Sequence, residues 1–241
     1  MKIDKKFVEA CLELSDNEHS KLTEREKNIF GLSSNRQRDL VNNLCSIPDA
    51  KYLELGVYKG ATLLSAASGN KVSEIVGVDN YSYDEREPRK KAPEGKIWDN
   101  MKSHLADNIS KYLDVDSTVD TKKIRIIEED WKQVDWSNES GFNVCLFDIT
   151  PTTAEDYDFF FKNVYQAMDK HCVVVFTNYS NEDKCVHIDE ALLANKDLFY
   201  ETSRNVRISG SLSDSTHYYS GVLVVTLQRK SKVDNAEKNS N

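Results

Sequence analysis

The sequence lacks the features of a membrane-spanning, exported or nucleic-acid-binding protein. No apolar run approaches the ~20 residues that a membrane-spanning helix requires. The first residues, MKIDKKFVEACLELSD, do not form a signal-peptide pattern, because Glu9 and Glu13 interrupt the apolar positions. Acidic residues outnumber basic ones by 40 to 32, which gives a net charge of −8, whereas nucleic-acid binding needs a basic surface. We therefore expect no membrane partner and no nucleic-acid partner.

Cysteine is scarce as well. The five cysteines are an odd number, and no two of them form a C-x-x-C pair. This usage argues against a disulfide framework and against a zinc site, and it fits reduced thiols in a cytoplasmic protein. What the chain does have is 39% hydrophobic and 30% charged residues over 241 positions. Such a composition is typical of a globular protein with one large domain.

The first 48 residues are predicted to form a helical extension. Thr23 and Glu26 have the spacing of a capping box, and so do Ser34 and Gln37. After Ser34, apolar residues recur at helical spacing until Pro48. We predict three regions: the extension at 1–48, an α/β domain at 49–229, and a disordered polar tail at 230–241.

From Lys51 onward, apolar runs alternate with segments of helical periodicity. This alternation implies right-handed crossovers and a mostly parallel, doubly wound α/β sheet. No helical pattern separates the last two strands, so the last strand should run antiparallel. The strands are predicted at 51–55, 73–79, 122–127, 142–148, 172–178, 198–208 and 221–228, and the helices at 61–68, from 97 onward, around 160–168 and at 183–196.

The chain has only nine glycines, and two of them, Gly56 and Gly60, lie directly after the first predicted strand. A glycine turn between a strand and a helix often binds a ligand with its backbone. A nucleotide P-loop would need lysine after its last glycine, but Ala61 and Thr62 follow Gly60. A dinucleotide fingerprint would need glycine where Tyr58 stands, so only its first glycine is matched.

S-adenosylmethionine is the third candidate ligand, and the pattern E-x-G-x-x-x-G suits it. Glu54 offers a carboxylate to the ligand ammonium, and the helix that begins near Thr62 offers its N-terminus to the ligand carboxylate. Asp79 ends the second strand and could bind the ribose hydroxyls. Asp130 follows the third strand and could accept from the adenine amino group. Each feature taken alone is equally compatible with an ordinary turn, a helix cap or a solvated charge.

These residues resemble those of class I S-adenosylmethionine-dependent methyltransferases, and more narrowly those of the methyltransferase-24 group. The segments NRQRDLVNNLCSIPDAKYLELGVYKGATLLSA and IVGVDNYS carry the resemblance, which follows the strand order over 34–228. It implies a seven-stranded Rossmann-like sheet and O-methylation of a small-molecule or sugar-like acceptor. The predicted cofactor-binding residues are Glu54, Gly56, Val57, Tyr58, Gly60, Thr62, Asp79, Asn80, Asp130, Trp131 and Asp148, with Trp131 beside the adenine ring.

The sequence departs from the group where its metal-dependent members bind a divalent cation. The fourth strand keeps Asp148, but the histidine expected soon after it is missing from DITPTTAEDY. After the fifth strand, Thr177 and Asn178 stand in place of paired acids. Since a hard cation prefers several carboxylate oxygens, we predict that no divalent metal is tightly bound. The missing histidine also removes the usual base.

Three residues at the carboxyl ends of the strands are candidates for catalysis. Asp148 and Tyr179 follow the fourth and fifth strands, and His217 lies in the 209–221 segment between the last two strands. A histidine can act as a base near neutral pH, although a surface loop with an incidental histidine would look the same. The charged loop at 82–95 is either a lid or a solvated insertion.

Two further functions compete with an active methyltransferase that acts on a small-molecule acceptor. A non-catalytic binding protein with a degenerate methyltransferase fold would explain the lost acid pair and histidine. An NAD-dependent oxidoreductase is disfavoured by Tyr58. The oligomeric state is left open, with a homodimer as one option.

Overall fold

The computed structural model describes residues 3–82, 100–113, 123–149, 153–207, 209–210 and 217–231. Three helices come first: α1 (Lys5–Asp16), α2 (Glu24–Lys27) and α3 (Asn35–Leu44). Both predicted capping boxes are present, at the start of α2 and at the start of α3. Side-chain caps of this kind satisfy N–H groups that a helix cannot pair internally.

Seven strands and four further helices follow. The strands are β1 (Ala50–Leu55), β2 (Val72–Val78), β3 (Ile124–Ile127), β4 (Phe142–Phe147), β5 (Met168–Thr177), β6 (Phe199–Arg207) and β7 (Val222–Arg229). The helices are α4 (Ala61–Ala67), α5 (Met101–Leu113), α6 (Ala154–Lys162) and α7 (Glu182–Ala194). Ser209–Gly210 and Tyr218–Tyr219 form a separate two-residue parallel ladder, which the sequence pattern did not predict.

The seven strands form one sheet in the order β3-β2-β1-β4-β5-β7-β6. β1 pairs in parallel with β2 and β4, and β7 runs antiparallel to both β5 and β6. The predicted Rossmann-like, mostly parallel sheet with an antiparallel last strand and a helical extension before it is therefore confirmed. Because the carboxyl ends of the parallel strands share one edge, the residues that follow β1, β2, β4 and β5 are brought together there.

The element bounds differ from the prediction in two places. The helix expected to continue through Val164 and Tyr165 ends at Lys162, and a 3-10 turn at Val164–Ala167 follows. β5 then begins at Met168, earlier than predicted, because the strand extends beyond its apolar run into the polar residues Asp169 and Lys170. The start of the predicted helix at 97 and most of the predicted 82–95 loop lie outside the described residues.

The sheet is covered on both faces, and a separate hydrophobic core lies on each. The helices α1, α3 and α4 pack on one face, and α6 and α7 pack on the other. Alternation along β4 supplies both cores, since Val144 and Leu146 point to the first and Cys145 and Phe147 to the second. Within the described residues, no helix has the length and apolar character needed to cross a membrane.

Candidate functional site

The loop between β1 and α4 needs glycine for reasons internal to the protein. Gly56 has φ +90°, and a Cβ placed there would lie 2.3 Å from the carbonyl oxygen of Asp148. Gly60 has φ +81° and caps α4, and a Cβ there would lie 2.3 Å from Leu105 Cδ1. Tyr58 also takes a positive φ of 54°. The two glycines therefore let the loop pack against β4 and α5.

Asp79 holds this loop from the end of β2. Its Oδ2 atom accepts hydrogen bonds from the backbone N–H groups of Val57 and Tyr58, at 2.9 and 2.8 Å. Its Oδ1 atom accepts from the N–H of Tyr81, at 2.8 Å. The side chain is only half-buried, and each carboxylate oxygen has two lone pairs. Asp79 can therefore shape the loop and still accept a hydroxyl from a ligand. Asn80, which follows it, is exposed.

Glu54 is fully buried in β1. The Tyr52 hydroxyl donates to its Oε2 atom at 2.7 Å, and the Thr62 hydroxyl lies 2.5 Å from its Oε1 atom. Burial raises the pKa of Glu54 to about 8, the two hydroxyl contacts lower it in part, and the charges of Asp148 and Asp79 add to the rise. Tyr52 was not among the predicted site residues, although it shares the face of β1 with Glu54.

The ends of β4 and β5 are joined by hydrogen bonds to Asp148. Thr177 Oγ1 donates to Asp148 Oδ1, and Asn178 Nδ2 lies 3.4 Å from the same oxygen. Burial is the main cause that raises the pKa of Asp148, and the nearby Asp79 adds to it, while Thr177, Lys184 and Asn178 act in the opposite direction. The two residues that replace the paired acids thus orient Asp148. Among the described residues, none donates a hydrogen bond to its Oδ2 atom.

A small cleft opens beside Asp148 on the α3 side of the sheet. Its walls come from the loop before α3, from α3 and α4, and from the ends of β4, β5 and β7. The lining residues are Ser33, Gln37, Leu40, Val41, Thr62, Leu146, Asp148, Val175, Thr177 and Val222. Polar and aliphatic side chains thus both line the cleft, whose open volume of about 10 Å³ is room for about one water molecule.

Three carboxyl groups lie together at this edge of the sheet. Glu54, Asp79 and Asp148 lie at the ends of neighbouring strands, and the described residues that line the cleft include no Lys, Arg or His, although the charge of Lys184 acts on Asp148. The loop lysine, Lys59, is buried over the rings of Phe30 and Tyr58, at 5.0 and 5.3 Å from their centres. Such an edge fits a ligand with a positively charged sulfonium and ammonium, and it does not fit a phosphate. In the part of the chain that the structure describes, no three His, Cys, Asp or Glu side chains form a metal-binding group.

Asp130 and Trp131 follow β3 at the far side of the same edge. Asp130 is exposed, and its Oδ1 atom accepts from the N–H of Lys132 at 2.9 Å. Trp131 is buried and packs edge-on against Phe147 and Phe159, with ring centres 5.5 and 5.2 Å apart. The ring is thus held in the α6-side core. Its predicted place beside an adenine, like the role of Asp130, stays a prediction.

Tyr179 and His217, the other two catalytic candidates, differ in their surroundings. The Tyr179 hydroxyl donates to the Asp189 carboxylate on α7, at 3.0 Å, and burial with this contact raises its pKa to about 12. His217 is half-buried in the connection that leads to β7, where Val222 lies opposite Thr177. That connection is at the carboxyl end of β5, as expected. The geometry favours Asp148 over Tyr179 as a base, and all three catalytic assignments stay predictions.

Sequence patterns missed three residues that the fold brings to the cleft or to Asp148. The sequence identified Gln37 only as a helix cap. Its Nε2 atom also donates to the carbonyl of Tyr219, at 3.0 Å, and this bond connects α3 to the segment that precedes β7. Ser33 stands just before the Ser34 cap and had no signal of its own. Lys184, whose charge acts on Asp148, lies in the first turn of α7 and could have been found only from the fold.

No protein-family model matches this chain, and no curated protein sequence matches it significantly. Solved structures do match it. One is a S-adenosylmethionine-dependent O-methyltransferase from Thermotoga maritima, with a TM-score of 0.52 and 11% identity over 81% of this chain and 66% of that chain. Another is TrmN from Thermus thermophilus, with a TM-score of 0.52 and 13% identity over 86% of this chain and 52% of that one.

These similarities show the fold and leave the activity to be established. The chain has the fold of class I S-adenosylmethionine-dependent methyltransferases, with the sheet order and the antiparallel strand described above. It spans between about half and two thirds of the length of the two solved structures. The narrower resemblance to the methyltransferase-24 group has no support from these comparisons.

Proposed function

We propose that this protein is a S-adenosylmethionine-dependent methyltransferase that transfers the methyl group to a hydroxyl of a small-molecule or sugar-like acceptor. The observation that carries the proposal is the group of three carboxyls at the strand ends beside a small cleft. Glu54, Asp79 and Asp148 lie close enough for their charges to interact, and the described residues that line the cleft next to Asp148 include no basic side chain. This arrangement suits a cationic methyl donor and a small neutral acceptor.

The residues that would hold the donor are those of the β1–α4 loop and the end of β2. When bound, S-adenosylmethionine supplies an electrophilic methyl group on a sulfonium. Asp79 would accept its ribose hydroxyls while keeping the bonds to Val57 and Tyr58. Glu54 would offset its positive charge through the Thr62 hydroxyl, which lies between Glu54 and the cleft. The loop glycines set the position of this backbone.

Asp148 is the group best placed to act on the acceptor. Its Oδ1 atom accepts from Thr177 and Asn178, and Oδ2, to which no described residue donates, would accept the hydroxyl proton. Because burial raises its pKa, the carboxylate is a stronger base than an exposed aspartate would be. The proton that the hydroxyl loses during transfer would pass to Asp148 and then to solvent.

A binding experiment tests the donor. Calorimetric titration with S-adenosylmethionine, S-adenosylhomocysteine and NAD should give heat with the two sulfur compounds only. Asp79→Ala should abolish that heat, because it removes three backbone contacts as well as the ribose acceptor. Glu190→Gln, an exposed acid on α7, is the matched control and should bind normally. Absence of heat with both sulfur compounds in the wild type would overturn the proposal.

A turnover experiment tests the acceptor. A screen of phenols, aliphatic alcohols, sugars, amines and thiols would be followed by the appearance of S-adenosylhomocysteine and of the methylated product. Asp148→Asn should lower the rate about 10²-fold or more, the usual contribution of a general base. Methylation of amines or thiols but of no hydroxyl compound would contradict the O-methylation assignment and leave the donor assignment intact.

A non-catalytic binding protein is the second candidate. It is favoured by Thr177 and Asn178, which stand in place of the paired acids of metal-dependent relatives, and by the missing histidine after the fourth strand. This alternative predicts donor binding without S-adenosylhomocysteine formation for every acceptor in the screen.

A further inference from the structure

The environment of Glu54 is unusual for a carboxylate. The side chain is fully buried, and among the described residues its two oxygens accept hydrogen bonds from the hydroxyl groups of Tyr52 and Thr62 and from no others. None of the ion pairs formed among the described residues includes Glu54. An isolated charge in such a place is costly, and a carboxyl group avoids the cost by keeping its proton.

The neighbouring ionisable groups act in the same direction. Among the described residues, none of the groups whose charges are shown to act on Glu54 is a cation, and the two carboxylates at the adjacent strand ends disfavour a third negative charge. Lys184 acts on Asp148 and lowers the pKa of Asp148. The groups that face Glu54 are Tyr52 on β1, Cys45 at the end of α3, Cys145 on β4, Asp148 after β4, and Asp79 after β2.

The contact between Glu54 and Thr62 connects this buried group to the cleft. Thr62 is itself nearly buried, yet it lines the cleft together with Asp148. A hydroxyl can donate to an ionised carboxylate or accept from a protonated one. The Thr62 hydroxyl can therefore keep its bond to Glu54 in both protonation states by reversing its direction, so that the charge on Glu54 can change without a rearrangement of side chains.

We infer that Glu54 is protonated in the ligand-free protein and that a cationic ligand binds beside it with release of that proton. The inference rests on the proposed function, because the ligand is taken to be the sulfonium and ammonium end of S-adenosylmethionine. The exchange keeps the charge of the site balanced: one proton leaves Glu54, and one positive charge of the ligand takes its place. The site thus selects its ligand by positive charge, while Glu54 carries no buried charge in the empty state.

Proton release can be counted by calorimetry. Titrations in two buffers of different ionisation enthalpy at about pH 7 give the number of protons released per ligand bound, since the ligand's own amino group is still mostly protonated there. A carboxyl group with a pKa of about 8 is roughly nine-tenths protonated at that pH. We therefore expect about 0.9 proton released per S-adenosylmethionine if the pKa falls well below 7 in the complex.

Ligand variants identify which positive charge is responsible. S-adenosylhomocysteine keeps the ammonium and lacks the sulfonium, whereas methylthioadenosine has neither charge. Release with both S-adenosyl compounds assigns the effect to the ammonium, and release with S-adenosylmethionine alone assigns it to the sulfonium. Methylthioadenosine should bind without proton release, and equal release with this neutral compound would overturn the inference.

Two variants test Glu54 itself. Glu54→Gln has nearly the same shape and cannot ionise, so proton release at pH 7 should fall to nearly zero. Tyr52→Phe keeps the carboxyl but removes a hydroxyl that stabilises its charge, so the pH at which release is half-maximal should rise. The inference is wrong if the wild type binds without releasing a proton, or if Glu54→Gln releases as many protons as the wild type.

Failure of the inference and failure of the proposed function give different results. Binding of S-adenosylmethionine without proton release overturns only the proton exchange. Absence of binding by all three compounds overturns the proposed function and the exchange with it. The protonation of Glu54 in the empty protein is measured separately, from the pH dependence of unfolding of the wild type and of Glu54→Gln.

Discussion

The two faces of the sheet are built from different interactions. On the α6 side, the core is an aromatic cluster that includes Phe147, Phe160, Phe161 and Phe176, with ring centres 5.2 to 6.2 Å apart. On the α3 side, the helix Asn35–Leu44 buries polar side chains as well as apolar ones. The buried polar residues of that helix are Gln37, Arg38, Asp39, Asn42 and Asn43.

The polar face is held by directional bonds to the backbone. Arg38 donates to the carbonyls of Lys27 and Ile29, at 2.8 and 2.7 Å, and to the hydroxyl and carbonyl of Ser33. Asn42 donates to the carbonyls of Ser65 and Ser68, both at 2.8 Å. Such bonds fix the position of loops, whereas aromatic packing mainly excludes water.

The difference between the two faces of the sheet indicates where the candidate site lies. The aromatic face is close-packed, and the cleft opens on the opposite face, where Arg38 holds Ser33 at its rim. Without the bonds from Arg38, the loop that contains Ser33 would have few contacts to order it. The comparison leads to four predictions, which run from the largest to the smallest expected change in the free energy of unfolding.

Loss of one ring from the aromatic face should have the largest effect. Phe160→Ala removes a fully buried ring that contacts Phe147, Phe161 and Phe176. We expect the free energy of unfolding to fall by about 3–5 kcal/mol in urea denaturation. Leu193→Ala, at a residue 66% exposed on α7, is the control and should change it by less than about 0.5 kcal/mol. Equal stability of the two variants would refute the role given to the cluster.

Loss of Arg38 should destabilise the polar face somewhat less. Arg38→Met keeps the length of the side chain but leaves three backbone carbonyls without their donor, at a cost of about 2–4 kcal/mol in total. Limited proteolysis should also cut the chain within 27–33 sooner. Arg36→Met removes only a weak ion pair to Glu18, 3.9 Å long, and should cost about 1 kcal/mol or less. If both variants resist protease as the wild type does, Arg38 does not order the loop.

The pH dependence of stability should reveal the protonated Glu54. Its pKa is about 8 in the folded protein and 4.5 when unperturbed. Between these values the folded state keeps a proton that the unfolded state loses, so stability is highest below the lower pKa and falls as pH rises through the window. The slope should be up to about −1.4 kcal/mol per pH unit, and it should end near pH 8.

Urea denaturation of the wild type and Glu54→Gln at several pH values measures this slope. The variant lacks the titrating group, so the difference between the two curves isolates it from Asp148, which acts with the same sign and is present in both. Parallel curves for the two proteins would show that Glu54 is ionised in the folded state.

Neutralising Asp148 should change stability least and activity most. Asp148→Asn keeps a partner for Thr177 and removes a charge that opposes Asp79 and Glu54. The free energy of unfolding should therefore stay within about 1 kcal/mol of the wild type or rise slightly, while the rate of methyl transfer falls about 10²-fold or more. Methyl transfer at the wild-type rate in a stable Asp148→Asn variant would exclude Asp148 as the base.

Local patterns in the sequence were sufficient to predict the succession of strands and helices along the chain, both capping boxes and the position of the glycine loop. Each of these depends on residues within a few positions of one another, where side-chain spacing limits the backbone directly. The antiparallel last strand also followed from the sequence, since a connection without a crossover helix cannot join parallel neighbours easily. The predicted start of the fifth strand was less accurate, because the strand also includes the polar residues Asp169 and Lys170.

The choice of partner for each polar side chain was decided only by the tertiary structure. The sequence alone does not distinguish which of the side chains of Glu54, Asp79 and Tyr179 are free to bind a ligand. In the fold, Glu54 is buried against Tyr52 and Thr62, Asp79 binds the loop backbone, and the Tyr179 hydroxyl is taken by Asp189. A hydrogen bond depends on distances of a few tenths of an ångström between elements far apart in the chain. Hence the sequence determined which chemical groups reach this edge of the sheet, and only the packing of the helices on it decided which of them are free to act.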